Sequence, residues 1–167
     1  MARTGRFALM TLVGAGAFAA AALAASATYG SGGEVVSGVW MTQKGTAAVE
    51  LARCDGTLCG RIVWLADPTR PDGDIKRDSE NPDPALRDRP WCGTEVITGL
   101  ERTGPGRWDG GRFYYFKHGR AYDLAVEREG DTLRLRAYVG LKALGRTEIW
   151  ERADPSLEFC PEAADSS

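Results

Sequence analysis

From Val35 onward, short apolar runs alternate with glycine-containing turns, and no stretch carries a helical period of useful length. That pattern predicts antiparallel strands over residues 35–42, 46–53, 58–65, 94–102, 112–116, 121–128, 132–139 and 146–152. A further short strand is expected at Arg107 and Trp108, ending at Asp109-Gly110-Gly111. In the second strand Ala47, Val49 and Leu51 share one face. In the seventh, Leu133, Leu135, Ala137 and Val139 alternate with Thr132, Arg134, Arg136 and Tyr138, as one-sided burial requires. Asp55-Gly56 is a two-residue hairpin signal between the second and third strands. The third strand is apolar on both faces around Ile62, Val63, Trp64 and Leu65, which predicts cover on both sides. Consecutive tight hairpins give up-and-down order, and closure removes the exposed edges of such a meander. The expected fold is therefore all-β, a small antiparallel up-and-down barrel of about eight strands.

One long segment breaks the pattern. Residues 66–91 contain Pro68, Pro71, Pro82, Pro84 and Pro90, each of which fixes its own φ and removes an amide donor, so no ladder can run through them. A loop of that length in a small domain carries function or is disordered. Its proline content lowers the entropy lost on ordering, so the expectation is an ordered flap over the barrel mouth. Asp78, Asn81, Arg87 and Trp91 are its candidate ligand-binding residues, and Trp64, Trp91 and Tyr115 are the aromatics expected nearest them.

The N-terminus changes the compartment. Arg3 and Arg6 precede a run of small apolar residues, and Ala25-Ser26-Ala27 offers the small-x-small pattern that signal peptidase accepts. Residues 1–27 therefore read as an export signal, leaving one barrel domain at 28–167 with a frayed tail at 161–167, periplasmic or secreted, and no membrane span after cleavage. Removing residues 1–27 leaves 140 residues, and losing Arg3 and Arg6 takes the formal charge from −2 to −4. Late in the chain Arg128, Arg134, Arg136, Arg146 and Arg152 are interleaved with Glu127, Glu129, Asp131, Glu148 and Glu151. Such a mixed-sign stripe is a solvated face, and no nucleic-acid partner is expected.

Four cysteines in an exported chain point to disulfides. Cys54 and Cys59 flank the Asp55-Gly56 turn and are paired with each other, which leaves Cys92 for Cys160. A zinc site of all four is the competing reading, disfavoured by the spacing. His118, the only histidine, sits at a hairpin tip and reads as a turn residue. Asp72, Asp74, Asp78, Glu80, Asn81 and Asp83 could gather around a hard cation, but they miss the calcium-loop pattern and read as turn-capping groups. No metal or other cofactor is expected. There is no Gly-x-Ser-x-Gly elbow, phosphate-binding glycine loop or His-Glu-x-x-His.

Several motifs together resemble one family. Gly38-x-Trp40, Cys54 with Leu58-Cys59-Gly60, Asp78-x-x-Asn81-Pro82 with Leu86-Arg87 and Gly93, Leu133-x-x-Arg136-x-Tyr138-x-Gly140, and Leu144-Gly145-Arg146-Thr147 with Trp150 are similar to DUF2147. That is a bacterial family of small exported proteins of unsettled function. Gly38-x-Trp40 with Arg152 also resembles the calycin pattern of lipocalins and avidins. The resemblance implies structural roles for Trp40 and Arg152, with a first-strand Trp packed under a last-strand Arg at the barrel floor. The leading functional expectation is a non-enzymatic module of the cell envelope that binds a small molecule or envelope component. Its rivals are an enzyme using flap carboxylates with Tyr114, Tyr115 or Arg136, and a barrel plugged by its own side chains.

Overall fold

The computed structural model describes residues 36–161, so the expected export signal and the end of the tail lie outside the described residues. Eight antiparallel strands follow one another around a closed barrel. They are β1 (Gly38–Met41), β2 (Ala47–Cys54), β3 (Thr57–Leu65), β4 (Glu95–Gly104), β5 (Arg107–Tyr115), β6 (Arg120–Glu129), β7 (Thr132–Tyr138) and β8 (Arg146–Arg152). Closure comes from β8 returning to β1, with Trp40 opposite Arg152 and Met41 opposite Glu151. Single 3-10 turns lie at Pro84–Leu86, Phe116–His118 and Lys142–Leu144.

The period-two alternation decides which side chains fill the barrel. Leu58 pairs with Leu100, Trp108 with Val126 and Leu133 with Trp150, all buried. The outer face carries cross-strand ion pairs instead, Arg61 with Glu50, Arg107 with Glu127 and Arg112 with Asp123. Apolar inside and ionic outside is the reverse of a barrel that faces lipid. Among the described residues no helix is long and apolar enough to cross a membrane.

The structure shortens the first expected strand to Gly38–Met41, moves Phe116 from a strand end into a 3-10 turn, and corrects the pattern in two further places. Asp109-Gly110-Gly111 does not end a strand: β5 runs through it, and the register shifts between Trp108 and Gly111. Two adjacent glycines allow a bulge that keeps Trp108 and Gly111 both facing β6, where a break was expected. The seventh strand stops at Tyr138, so Val139 belongs to the following loop.

The two-sided apolarity of β3 has a concrete cause. Beyond Arg61 its ladder with β4 ends, and the residues that follow the flap and the C-terminal segment take over that edge. Gly93 N–H donates to Ile62 O (2.8 Å) and Cys160 N–H to Val63 O (2.9 Å). The Cys92–Cys160 disulfide joins those two covering segments, with Cα atoms 6.4 Å apart, and the Cys54–Cys59 disulfide spans the β2–β3 hairpin at 6.0 Å. Val63 is fully buried as a result.

The floor of the barrel is sealed by Trp40. Its ring is fully buried, its Nε1–H donates to Val36 O (2.8 Å), and the Arg152 guanidinium lies 3.9 Å from the ring centroid. Arg152 Nη1 in turn donates to Ser37 O (2.8 Å). Gly38 is needed here: its φ is +118°, and a Cβ on it would meet Arg152 Nη1 at 2.5 Å. The Gly-x-Trp spacing thus leaves room for a last-strand cation to lie over the indole face.

Candidate functional site

The flap is organised around a buried carboxylate. Asp78 is fully buried, and a buried charge persists only when it is paired and hydrogen-bonded. Its Oδ2 accepts from Asn81 Nδ2 (2.5 Å) and from the Arg89 guanidinium (2.9 Å from Nε, 2.8 Å from Nη2), while Oδ1 accepts from the Tyr114 hydroxyl on β5 (2.8 Å). Three of these groups belong to the flap; Tyr114 belongs to the barrel. One carboxylate therefore gathers the loop and fastens it down.

Neighbouring contacts extend the anchor. Asn81 Oδ1 accepts from Asp83 N–H (2.9 Å), Asp83 Oδ1 from Ala85 N–H (3.0 Å) and Asp72 Oδ1 from Asp74 N–H (3.1 Å), so these acidic and amide groups cap turns. The Arg89 guanidinium lies over Tyr114 (5.2 Å) and Phe116 (5.9 Å), and Trp91 stacks on Phe116 at 5.0 Å. Gly119, at φ +55°, lets the flap press onto the β5–β6 turn: a Cβ there would lie 1.8 Å from Glu80 O.

The anchor has a pH signature. Burial first, and then the Asp78 hydrogen bond and charge, push the Tyr114 hydroxyl from its ordinary value near 10 up to about 12. A folded pKa above the unfolded one means a contribution fully present below about pH 10 and lost as the pH climbs through about 12. Phenolate absorbance should therefore show one tyrosine ionising late, and in Asp78→Asn that late step should move toward 10. An unchanged late step in Asp78→Asn would mean that Asp78 does not hold Tyr114.

Beside the flap the barrel opens into a cavity of two lobes. One, of about 360 Å³, is lined by Val49, Ile62, Trp91, Tyr114 and Phe116 among others. The other, of about 530 Å³, is lined by His118, Leu135, Ala137, Tyr138 and Leu144 among others. Lys44, Phe113, Tyr115, Glu148 and Trp150 are common to both. Phe113 meets Trp150 edge-on at 6.5 Å, and Trp150 Nε1–H donates to Glu148 Oε2 (3.2 Å), which puts a half-buried carboxylate where the lobes meet. Lys44, Lys117 and Arg146 stand exposed at the rim. An apolar, aromatic hollow with a few fixed polar groups has the form of a small-molecule site.

Of the residues expected from the sequence, Trp91 and Tyr115 lie on the cavity wall. Asp78 and Asn81 do not face it, because their burial and hydrogen bonds bind them into the flap anchor. Arg87 Nε donates to Asn81 O (2.8 Å) and likewise serves the anchor. Trp64 lines a separate hollow beside Cys92 and Cys160. His118 is part of the β5–β6 turn, with Nδ1 2.8 Å from the Tyr122 hydroxyl, and its ring also lines the larger lobe. Arg136, a candidate for catalysis, is engaged with the β7–β8 loop through Lys142 O, Ala143 O and Thr147 Oγ1. Sequence reasoning missed Phe113, Glu148, Trp150 and Lys44. The signal available for Glu148 and Trp150 was their period-two spacing with Arg152, which puts all three on one side of β8.

The fold has a known counterpart. The protein described as "Protein HP1028 from the human pathogen Helicobacter pylori belongs to the lipocalin family" superposes with a TM-score of 0.65 at 22% identity, over 78% of this chain and 96% of that one. At that identity the likeness establishes the lipocalin-like fold and nothing further. A comparison with curated proteins finds no match. The family model described as "Uncharacterized protein conserved in bacteria (DUF2147)" matches residues 38–152, from the glycine that admits Arg152 to Arg152 itself. The chain belongs to the DUF2147 family.

Proposed function

We propose that the protein is a non-enzymatic binding module of the bacterial cell envelope, holding a small, partly apolar molecule in the two-lobed cavity at its mouth. The observation that carries this is the division of the barrel. Its lower half is filled by Trp40, Leu51, Leu58, Leu100 and Leu133, all buried, whereas its upper half is hollow and aromatic. A barrel serving only as a scaffold would be filled throughout. Trp91 and Tyr115 supply apolar faces, Glu148 a fixed acceptor, and the anchored flap a rigid side wall. Export fits the N-terminal sequence, and two disulfides fit an oxidising compartment.

Titration with an environment-sensitive apolar fluorophore such as aminoanthracene tests the reading. Saturable binding of one fluorophore per barrel is expected, with quenching of Trp150. Ala137→Trp, which fills the larger lobe, should weaken it by about tenfold, equivalent to ~1.4 kcal/mol, and Arg112→Ala, on the outer wall, should leave it unchanged. No saturable binding, or binding indifferent to Ala137→Trp, would sink the proposal.

A further inference from the structure

The β7–β8 loop, residues 139–145, carries the three most exposed large hydrophobic side chains among the described residues. Leu144 is 80% exposed, Leu141 67% and Val139 57%. They are held outward by the fold. Arg136 donates from Nε to Lys142 O (2.9 Å), from Nη2 to Ala143 O (2.6 Å) and from Nη1 to Thr147 Oγ1 (2.8 Å). Leu144 N–H closes a turn on Leu141 O (3.0 Å), and Gly145 N–H another on Lys142 O (3.1 Å). Aliphatic groups fixed in this way, close together on a small protein, mark a surface that something covers.

The surroundings of this loop are cationic. Lys44 and Arg146 line the same lobe as Val139 and Leu144, and Lys117 lines the adjoining lobe with Lys44. None of these three forms an ion pair with a described residue, whereas the outer wall of the barrel pairs its arginines across strands. Two carboxylates of the region are engaged elsewhere without pairing with these three cations. Asp109 is held by Lys142, and Glu148 accepts from Trp150 at the junction of the lobes. Exposed aliphatic side chains beside unpaired cations, as Val139 and Leu144 stand with Lys44 and Arg146, suit the boundary between acyl chains and anionic headgroups.

We propose that residues 139–145 form a docking lip that sets the barrel mouth on an anionic lipid surface. Charge complementarity selects this occupant: a lipid surface satisfies the leucines and the lysines together. The lip would bring the mouth cavity to the edge of the acyl phase, but docking does not depend on what the cavity holds.

The test uses protein isolated from cells, its N-terminus established by mass spectrometry, and variants made in the same chain, so that any contribution from upstream residues cancels. It is sedimented with vesicles of phosphatidylethanolamine and phosphatidylglycerol, and with vesicles of phosphatidylcholine alone. Wild type should partition at least about tenfold more strongly onto the anionic vesicles, with the difference fading at high salt. Leu141→Ser with Leu144→Ser should lower that partition by more than about tenfold. Lys44→Gln with Arg146→Gln should lower it about 25-fold, at roughly fivefold per cation, and these exposed positions leave the core untouched. Unchanged binding by the leucine variant overturns the proposal, as does equal binding to both vesicle types. So does a dimer in the ultracentrifuge that the leucine variant dissolves, which would give the lip to a second copy of the chain.

Discussion

Asp78→Ala should destabilise the protein by about 3–5 kcal/mol, because it removes one partner of a buried ion pair and leaves the others uncompensated. The Arg89 guanidinium, the Asn81 amide and the Tyr114 hydroxyl all converge on this carboxylate. With it gone, the Asn81 amide and the Tyr114 hydroxyl lose their buried partner and the part-exposed Arg89 guanidinium no longer ties the flap down, so the flap loosens from the barrel. The loss should therefore be partly local. Amide exchange should accelerate first at Asn81 and at Trp91, whose N–H groups donate to Asp78 O and Lys76 O within the loop. Asp78→Asn keeps the shape and one acceptor, so it should fall between wild type and alanine. Urea denaturation with exchange mass spectrometry measures both. A loss below about 1 kcal/mol with unchanged exchange in the flap would mean that the loop is held by its prolines and aromatic contacts instead.

A second large loss is expected at the other end of the barrel. Trp40→Ala should cost about 3–5 kcal/mol, as truncation of a fully buried aromatic does, since it leaves a void beneath the floor and strips the support from Arg152. Arg152→Ala should cost less, about 0.5–2 kcal/mol for a cation over an indole face. The two losses should not add, because they act on one contact of 3.9 Å. Additive losses, or a Trp40→Ala cost below about 1 kcal/mol, would show that the floor is not sealed by this pair.

Much of this architecture was legible because antiparallel barrels are local in sequence. Leu133, Leu135 and Ala137 alternate visibly, Asp55-Gly56 announces its turn, and each strand pairs with its chain neighbour. The bulge at Asp109-Gly110-Gly111 was not legible, since two glycines after a short apolar run signal a turn and a bulge equally well. The candidate site was legible only in outline. Asp78 and Asn81 stood out as unusual, but a carboxylate that binds a ligand and one that binds its own loop have the same sequence. Only Arg89 and Tyr114 closing on Asp78 separate the two. The cavity lining was hidden for another reason. Phe113 lies on β5 whereas Glu148 and Trp150 lie on β8, and the two strands bring these side chains together only through barrel closure, a long-range property that no local pattern encodes.

Native mass spectrometry of the protein isolated from its own cells bears most directly on the idea that the barrel mouth is a ligand site. The spectrum should contain a population heavier than the chain by the mass of one small molecule, released on collisional activation and absent from Ala137→Trp. A wild-type population carrying only the mass of the chain, under conditions that preserve the fold, would contradict it, as would an adduct equally abundant in Ala137→Trp.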